Sequence, residues 1–279
     1  MGYSLRIFNS LVSGKLIADM ASIYYVGDWA VMTGPVFAES PFNYAHKGLD
    51  TFNYGKWLKD ALESTGEHQV ESVPSWEFYK LPPGGWERIL DTYDIFIFSD
   101  VESKLFQLDP HFFDRSKFGK EPLTFPDRVR LFTEAIRDGK KAVFCGGWLS
   151  FTGEMGKGGW GRTRLKEILP VNCLDYEDLV ESTEGFTVDG DISDPCFANM
   201  DFGGFPPILG YNRVLPREGF EVVLKVRQTG DPLLASGKAG KGAVLAYMSD
   251  PAPHWGCNFV YWDHYSEFWL NAVRLLDQL

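Results

Sequence analysis

The sequence predicts an α/β protein in which helices cover both faces of a mainly parallel β-sheet. Short apolar runs typical of buried strands alternate with segments of helical period. The clearest unit, residues 86–151, contains a short helix, a strand, a second helix and a second strand in that order. A strand, a helix and a strand in one sheet predict a right-handed crossover. A hydrophobic content of 44%, with 22 Phe, 12 Tyr and 9 Trp, is sufficient for a large core.

The individual elements follow from periodicity and from turn residues. The central strands are predicted near residues 4–8, 69–73, 94–98, 141–145 and 242–248. Helices are predicted over residues 54–64, 86–93, 126–138 and 262–276. The apolar segments 220–226 and 232–235 flank Thr229-Gly230-Asp231, which predicts a hairpin. The Gly/Pro-rich stretches are short, so the 279 residues are expected to form a single domain with loops at 153–161 and 190–215.

Composition excludes several classes of protein. The formal charge of −11 argues against a nucleic-acid partner, because such binding depends on basic residues that neutralise phosphates. No apolar run is long enough for a membrane span and no signal peptide is recognisable, so a cytoplasmic protein is expected. The cysteines are scattered and predicted to be reduced. The surplus of aromatic residues suggests that the loops also cover a homo-oligomer interface.

A functional site is expected where the loops after parallel strands converge, at the carboxyl ends of the sheet. This rule selects Ser99-Asp100, the run Gly146 to Phe151 and the run Ser249 to His254. A small-molecule ligand is therefore expected at this edge.

The run FCGGWLSFTG (144–153) places two glycines directly after a strand. Such a pair permits a sharp bend, as in a nucleophile elbow, so that the amides of Gly146 and Gly147 could polarise a ligand oxygen. Trp148 and Ser150 are the adjoining candidate binding residues. The alternative is a tight turn in which Trp148 is a packing residue.

The run SDPAPHWG (249–256) uses two prolines to stiffen the loop that leads to His254. His254 is the candidate general acid or base, oriented by Asp100 or Asp250, and Trp255 is a candidate wall of the pocket. The alternative is a histidine that is packed and hydrogen-bonded for structural reasons alone.

Two further segments are weaker candidates for ligand binding. HKGLDTF (46–52) is predicted to be a loop whose His46 and Lys47 lie close to a carboxylate, although it also fits a solvated helix-capping segment. LGYNRV (209–214) offers Tyr211, Asn212 and Arg213, although it also fits a turn with a surface arginine.

Metal and cofactor signatures are absent from the sequence. The five histidines show no i, i+4 pair and no H-E-x-x-H motif, so neither a metal nor a cofactor is expected. A site assembled from distant residues, such as His46 with Asp100 and His254, stays open at this point.

Several of these segments, in this order, resemble the putative glutamine amidotransferase family of the class I glutamine amidotransferase-like superfamily. The matching segments are HKGLDTF, IFIFSD (95–100), CGGWLSF (145–151), GKGGWGRTRLKEILPV (156–171), LGYNRV, DPLLASGKAGKGAVLAYMSD (231–250) and APHWG (252–256). The resemblance implies a flavodoxin-like three-layer α/β/α sandwich.

The resemblance stops short of the family's expected chemistry. A working class I glutaminase resembles G-x-C-x-G at the elbow and H-P-E later, whereas here Trp148 occupies the nucleophile position and Trp255-Gly256 follow His254. Cys145 precedes the glycines and is expected to be buried in the strand. Without an activated thiolate no acyl-enzyme route to glutamine hydrolysis exists, so glutaminase activity is not expected.

Two hypotheses of function therefore stand. The first is a hydrolase or lyase that acts on a small polar metabolite, with aromatic side chains suited to the faces of a carbohydrate-derived ring. The second is a non-catalytic ligand-binding or assembly protein on the same scaffold. Fold alone does not decide between them.

Overall fold

The computed structural model describes residues 20–35, 47–113, 116, 124–189, 192 and 194–279. The strands are β1 (Ala21–Gly27), β2 (Trp29–Pro35), β3 (Lys47–Asn53), β4 (His68–Val73), β5 (Ile95–Ser99), β6 (Lys141–Cys145), β7 (Val171–Cys173), β8 (Leu179–Phe186), β9 (Ile208–Asn212), β10 (Val214–Pro216), β11 (Glu221–Lys225), β12 (Pro232–Ala239) and β13 (Gly242–Tyr247). The α-helices are α1 (Lys56–Glu63), α2 (Ser75–Tyr79), α3 (Gly85–Thr92), α4 (Ser103–Gln107), α5 (Arg128–Arg137) and α6 (Tyr265–Gln278).

Seven strands form the central sheet in the order β11-β12-β13-β6-β5-β1-β4. The five strands from β13 to β4 are mutually parallel, whereas β12 runs antiparallel to both of its neighbours. The predicted parallel sheet and the predicted hairpin of β11 and β12 are thus confirmed. All five parallel strands place their carboxyl ends at one edge of the sheet.

Helices cover both faces because side chains alternate along each buried strand. On β1, Ile23 and Tyr25 join the core beneath α1 and α6, whereas Tyr24 and Val26 join the core beneath α2 to α5. The strands β5, β6 and β13 alternate in the same way. The structure therefore has the predicted three-layer α/β/α arrangement.

Helix α5 illustrates how local sequence fixes these elements. The Asp127 carboxylate accepts the backbone N–H of Arg130 and caps the first turn. Val129, Phe132 and Ile136 then form the buried stripe. Gly139, at φ 128°, follows the helix where the chain turns into β6.

The sequence-based assignment of the first strand differs from the structure. Strand β1 lies between β5 and β4 in the centre of the sheet, but no strand is predicted there from the sequence. The predicted strand at 4–8 lies outside the described residues. Two predicted loops are also wrong, because residues 47–52 lie in β3, paired with β2, and LGYN (209–212) forms most of β9, paired with β8. These pairings depend on partners distant in sequence, which local turn residues do not reveal.

The longest described helix, α6, has 14 residues. None of the described helices has the length and apolar character needed to cross a lipid bilayer.

Candidate active site at the carboxyl ends of the sheet

Three strands of the sheet are each followed, within three residues, by an aspartate at the same edge. Asp28 follows β1, Asp100 follows β5, and Asp250 lies three residues after the end of β13. Asp28 and Asp100 both have φ of 53°, a left-handed conformation that is uncommon for residues other than glycine. All three side chains line one cavity of about 430 Å³, together with Trp29, Ala30, Tyr54, Trp148, Pro253 and His254. Strained backbone at a cavity of this kind is a feature that functional sites often retain.

The β2–β3 pair forms one wall of this cavity through the residues where β2 begins and β3 ends. It leaves the sheet immediately after Asp28 and returns at Tyr54, whose backbone N–H donates to the Asp28 carbonyl at 2.8 Å. The indole N–H of Trp29 donates to Ser72 Oγ at 3.0 Å and fixes that ring. Two aromatic residues therefore lie on the cavity wall, Trp29 at the start of β2 and Tyr54 directly after β3.

His254 and Asp250 form a hydrogen-bonded pair on the opposite wall. The distance from His254 Nδ1 to Asp250 Oδ2 is 2.7 Å. The loop that carries His254 contains Pro251 and Pro253, and His254 itself has a strained φ of 145°. Of the two carboxylates predicted to orient His254, Asp250 is the one that is hydrogen-bonded to its ring.

Two tryptophans enclose the His254 imidazole. The Trp148 ring lies edge-on to it at 4.4 Å between centroids, and the Trp255 ring stacks against it at 5.2 Å. Trp148 is 45% exposed and lines the cavity, whereas Trp255 is buried. Both indole N–H groups donate to the same oxygen of Glu181, at 3.0 and 2.8 Å.

Asp100 is held by the loop that follows β6. Its Oδ1 accepts the backbone N–H of Leu149 at 2.6 Å, and its own backbone N–H donates to Ser150 Oγ at 3.1 Å. Ser150 is completely buried. Ser150 therefore holds the Asp100 backbone through this bond and does not line the cavity.

Burial raises the pKa values of two aspartates that line this cavity, Asp28 and Asp100. Burial raises the pKa of Asp28 to about 8, and the charge of Asp250 raises it further. Hydrogen bonds from Tyr25 and Ser99 act in the opposite direction and lower this pKa. Burial and Asp250 likewise raise the pKa of Asp100 to about 7. Two carboxyl groups in one cavity can therefore carry protons near neutral pH.

The histidine is shifted in the direction that favours its charged form. Partial burial lowers the pKa of His254, but its hydrogen bond to Asp250 and the charges of Asp250, Asp100 and Glu181 outweigh burial and raise it. For Asp250, burial raises the pKa while the bond to His254 opposes that rise. Asp250 therefore strengthens the His254 imidazole as a proton acceptor and stabilises its charged form.

The glycines after β6 have a different role from the predicted one. The Gly146 N–H already donates to the carbonyls of Tyr247 and Ser249, and the Gly147 N–H donates to Asn212 Oδ1 at 2.9 Å. The expectation that these amides polarise a ligand oxygen is therefore wrong for this geometry. A Cβ on Gly147 would lie 2.6 Å from Asp100 Oδ1, so the glycine allows Asp100 to approach.

Tyr211, Asn212 and Arg213, also predicted as binding residues, do not line the cavity. Asn212 is buried and braces the Gly147 turn through both of its amide atoms. Tyr211 and Arg213 instead bond Asp231, at 2.6 and 2.9 Å. Lys47 begins strand β3, and His46 lies outside the described residues.

Cys145 has the buried position expected from the sequence. Its side chain is completely buried in β6, and burial raises the pKa of its thiol. Among the described residues, no cysteine lines the cavity. Nor does the described part of the chain contain a group of three or more His, Cys, Asp or Glu side chains arranged to hold a metal ion.

Sequence reasoning missed Asp28, Trp29, Tyr54 and Glu181. A signal for Asp28 was present, because the strand-end sequences VGD (26–28), FSD (98–100) and MSD (248–250) share one pattern. No comparable local pattern marks Glu181, which reaches the site from β8.

The parallel sheet with its glycine turn after β6 and its late histidine defines a class I glutamine amidotransferase-like α/β protein. The model of the family Putative glutamine amidotransferase matches residues 39–278, and the chain belongs to that family. This confirms the resemblance found in the sequence.

Two solved structures from Salmonella typhimurium are similar to this chain over almost their whole length. Cytoplasmic Protein STM1381, from strain LT2, is 28% identical with a TM-score of 0.77, and the match covers 91% of this chain and 99% of that one. Cytoplasmic Protein STM3548 is 26% identical with a TM-score of 0.75, and the match covers 91% of this chain and 98% of that one. Comparison with curated proteins finds no match.

Proposed function

We propose that this protein is a cytoplasmic hydrolase or lyase that acts on a small, hydroxyl-rich metabolite of carbohydrate origin. The observation that carries the proposal is the His254–Asp250 pair, which faces the same cavity as two carboxyl groups with raised pKa values. Pairs of titratable groups with contrasting environments are the usual basis of acid–base catalysis. The proposed cytoplasmic location is drawn from the two similar proteins named above.

The geometry supports one proton-transfer scheme for both reaction types. Asp250 engages Nδ1 of His254, which leaves Nε2 as the ring nitrogen for the substrate. In a hydrolysis, Nε2 takes a proton from water while Asp100 or Asp28 donates a proton to the leaving oxygen. In an elimination, Nε2 takes the proton from carbon and the same carboxyl groups protonate the departing hydroxyl, which leaves as water.

The cavity wall favours a neutral, hydroxyl-bearing ligand. Trp29, Tyr54 and Trp148 offer aromatic surface, and the aspartates offer hydrogen-bond donors and acceptors. Among the described residues that line the cavity there is no lysine or arginine to pair with a phosphate or carboxylate.

Glutamine hydrolysis is not proposed, despite the name of the family. That reaction needs an activated thiolate at the elbow, whereas Cys145 is buried with a raised pKa and Trp148 follows the glycine pair.

The test begins with thermal stabilisation by a panel of neutral sugars, polyols, lactones and matched sugar acids, because binding to the native state raises the melting temperature. A ligand of this site should stabilise the wild type but not Trp148→Ala. Tyr176→Ala is the matched control, since Tyr176 is a 68% exposed aromatic outside the cavity lining. Stabilising compounds are then followed by NMR for conversion by the wild type and by His254→Ala.

The products distinguish the two reaction types. Hydrolysis incorporates oxygen from ¹⁸O-labelled water, whereas elimination from a deuterated substrate releases its deuterium to the solvent. Binding without conversion, at equal strength in His254→Ala, would instead favour the non-catalytic ligand-binding protein. Stabilisation that is unchanged in Trp148→Ala would place the ligand elsewhere and contradict the proposed site.

A further inference from the structure

We propose that Glu181 is a positioning residue of this site, which fixes the two indole rings that hold the His254 imidazole. The inference rests on the proposed function in so far as His254 is the acid–base group. The bonds of Glu181 and their effect on the His254 ring can be tested without a substrate.

One carboxylate oxygen of Glu181 joins the two rings. Oε1 accepts Nε1–H of Trp148 at 3.0 Å and Nε1–H of Trp255 at 2.8 Å. The two indoles contact the His254 ring from different directions, one edge-on and one stacked. A single acceptor therefore sets the position of both surfaces against which the imidazole rests.

Glu181 lies on strand β8, and the pairing of β8 with β9 places it beside the two indole rings. Glu181 lies opposite Gly210 in the antiparallel register. A Cβ on Gly210 would lie 2.5 Å from the Trp255 indole nitrogen, so only a glycine lets the indole pack against β9. The Leu209 N–H also donates to the Trp255 carbonyl at 2.9 Å, which ties the histidine loop to the same strand.

The bond to Glu181 matters because Trp148 is partly exposed. Its ring is 45% exposed, and an exposed side chain samples several rotamers unless a specific bond fixes it. With the bond to Glu181, Trp148 stays against the His254 ring, whose Nδ1 bonds Asp250. The three acidic groups that act on His254 are Asp250 from its own loop, Asp100 from the end of β5 and Glu181 from β8.

The experiment compares Glu181→Gln, Glu181→Leu and the control Glu184→Leu by NMR on the full chain. Gln retains an acceptor oxygen without the charge, Leu removes both, and Glu184→Leu removes an exposed charge from the same strand. The indole N–H signals are assigned with Trp148→Phe and Trp255→Phe, and the His254 ring signals with His254→Ala.

In Glu181→Leu, both indole N–H signals and the His254 ring C–H signals are expected to move from their wild-type positions. In Glu181→Gln, the indole signals should stay close to the wild type while the pKa of His254 falls, since only the charge is lost. Glu184→Leu should leave every one of these signals unchanged.

A second measurement covers the case in which Glu181→Leu does not fold. Trp148→Phe alters a partly exposed residue and removes one of the two bonded indoles, so the His254 ring signals should shift there too. Unmoved His254 and indole signals in a folded Glu181→Leu, or unmoved His254 signals in Trp148→Phe, would overturn the inference. Neither outcome depends on whether the protein turns over a substrate.

Discussion

His254 Nδ1 lies 2.7 Å from Asp250 Oδ2, and the same oxygen accepts the backbone N–H of Trp255 at 3.0 Å. The Asp250 side chain is only 5% exposed, whereas that of His254 is 37% exposed. A buried carboxylate thus orients a ring that remains accessible from the cavity. This asymmetry suits a histidine that exchanges protons with a ligand while one fixed partner holds its tautomer.

Asp250→Asn is expected to reduce turnover of any substrate identified by the panel by about 100-fold or more, while thermal stabilisation by the ligand persists. The reason is that the amide lacks the charge that favours the imidazolium form of His254, so the pKa of that ring should fall. NMR titration measures the pKa, and initial rates measure the turnover. The exposed Asp263→Asn serves as control, and an unchanged pKa of His254 in Asp250→Asn would contradict the pairing.

Stability should fall as the pH rises from about 4 to about 8, because of the carboxyl groups in the cavity. The pKa of Asp28 rises from 3.8 to about 8 on folding, so between these values the native state holds a proton that the unfolded state has lost. Asp28→Asn removes this group and should flatten the dependence by up to about 1.4 kcal/mol per pH unit. Urea unfolding at pH 5, 6, 7 and 8 measures the slope.

The matched variant for this measurement is Asp231→Asn. Hydrogen bonds from Tyr211 and Arg213 lower the pKa of Asp231 despite its partial burial, so it is ionised in both states above pH 5. Its loss should change stability by a similar amount at every pH of the series. A slope that Asp28→Asn leaves unaltered would argue that Asp28 is ionised in the native protein.

The fold was largely predictable from the sequence because buried strands and amphipathic helices leave local patterns. Residues 141–145 were predicted as β6 with the correct bounds, and α1, α3, α5 and α6 were predicted within a few residues of theirs. Strand β1 (Ala21–Gly27) was not predicted, and Asp28, which follows it directly, was missed with it.

The site was predictable only where it follows the parallel strands. Asp100, Asp250 and His254 were found because the carboxyl ends of such strands meet at one edge. Glu181 and Tyr54 come from strand pairs outside the central sheet, whose register depends on contacts between segments distant in sequence. Gly146 and Gly147 were located correctly, but whether their amides were free depended on Asn212, which only the tertiary structure reveals.

Cys145→Ala should cost about 1–2 kcal/mol of stability, in line with the loss of one buried sulfur, and should leave ligand binding and turnover in place. The thiol itself should alkylate slowly in the native protein, because it is buried and its pKa is raised. Mass spectrometry of iodoacetamide labelling, with and without urea, measures this. Rapid native labelling together with loss of activity in Cys145→Ala would restore a thiol mechanism.

Gly147→Ala is expected to destabilise the protein more than Gly139→Ala, although both glycines have strongly positive φ values of 141° and 128°. A methyl group at Gly139 meets nothing within 4 Å, so that variant reports the backbone strain alone, about 1–3 kcal/mol. At Gly147 the methyl group would lie 2.6 Å from Asp100 Oδ1, and Asp100 must move away from its bond with Leu149. Urea unfolding of both variants gives the difference in stability, and thermal stabilisation by the ligand should be lost only in Gly147→Ala. Equal costs, with ligand stabilisation retained in both variants, would mean that Asp100 does not occupy the position that this turn creates for it.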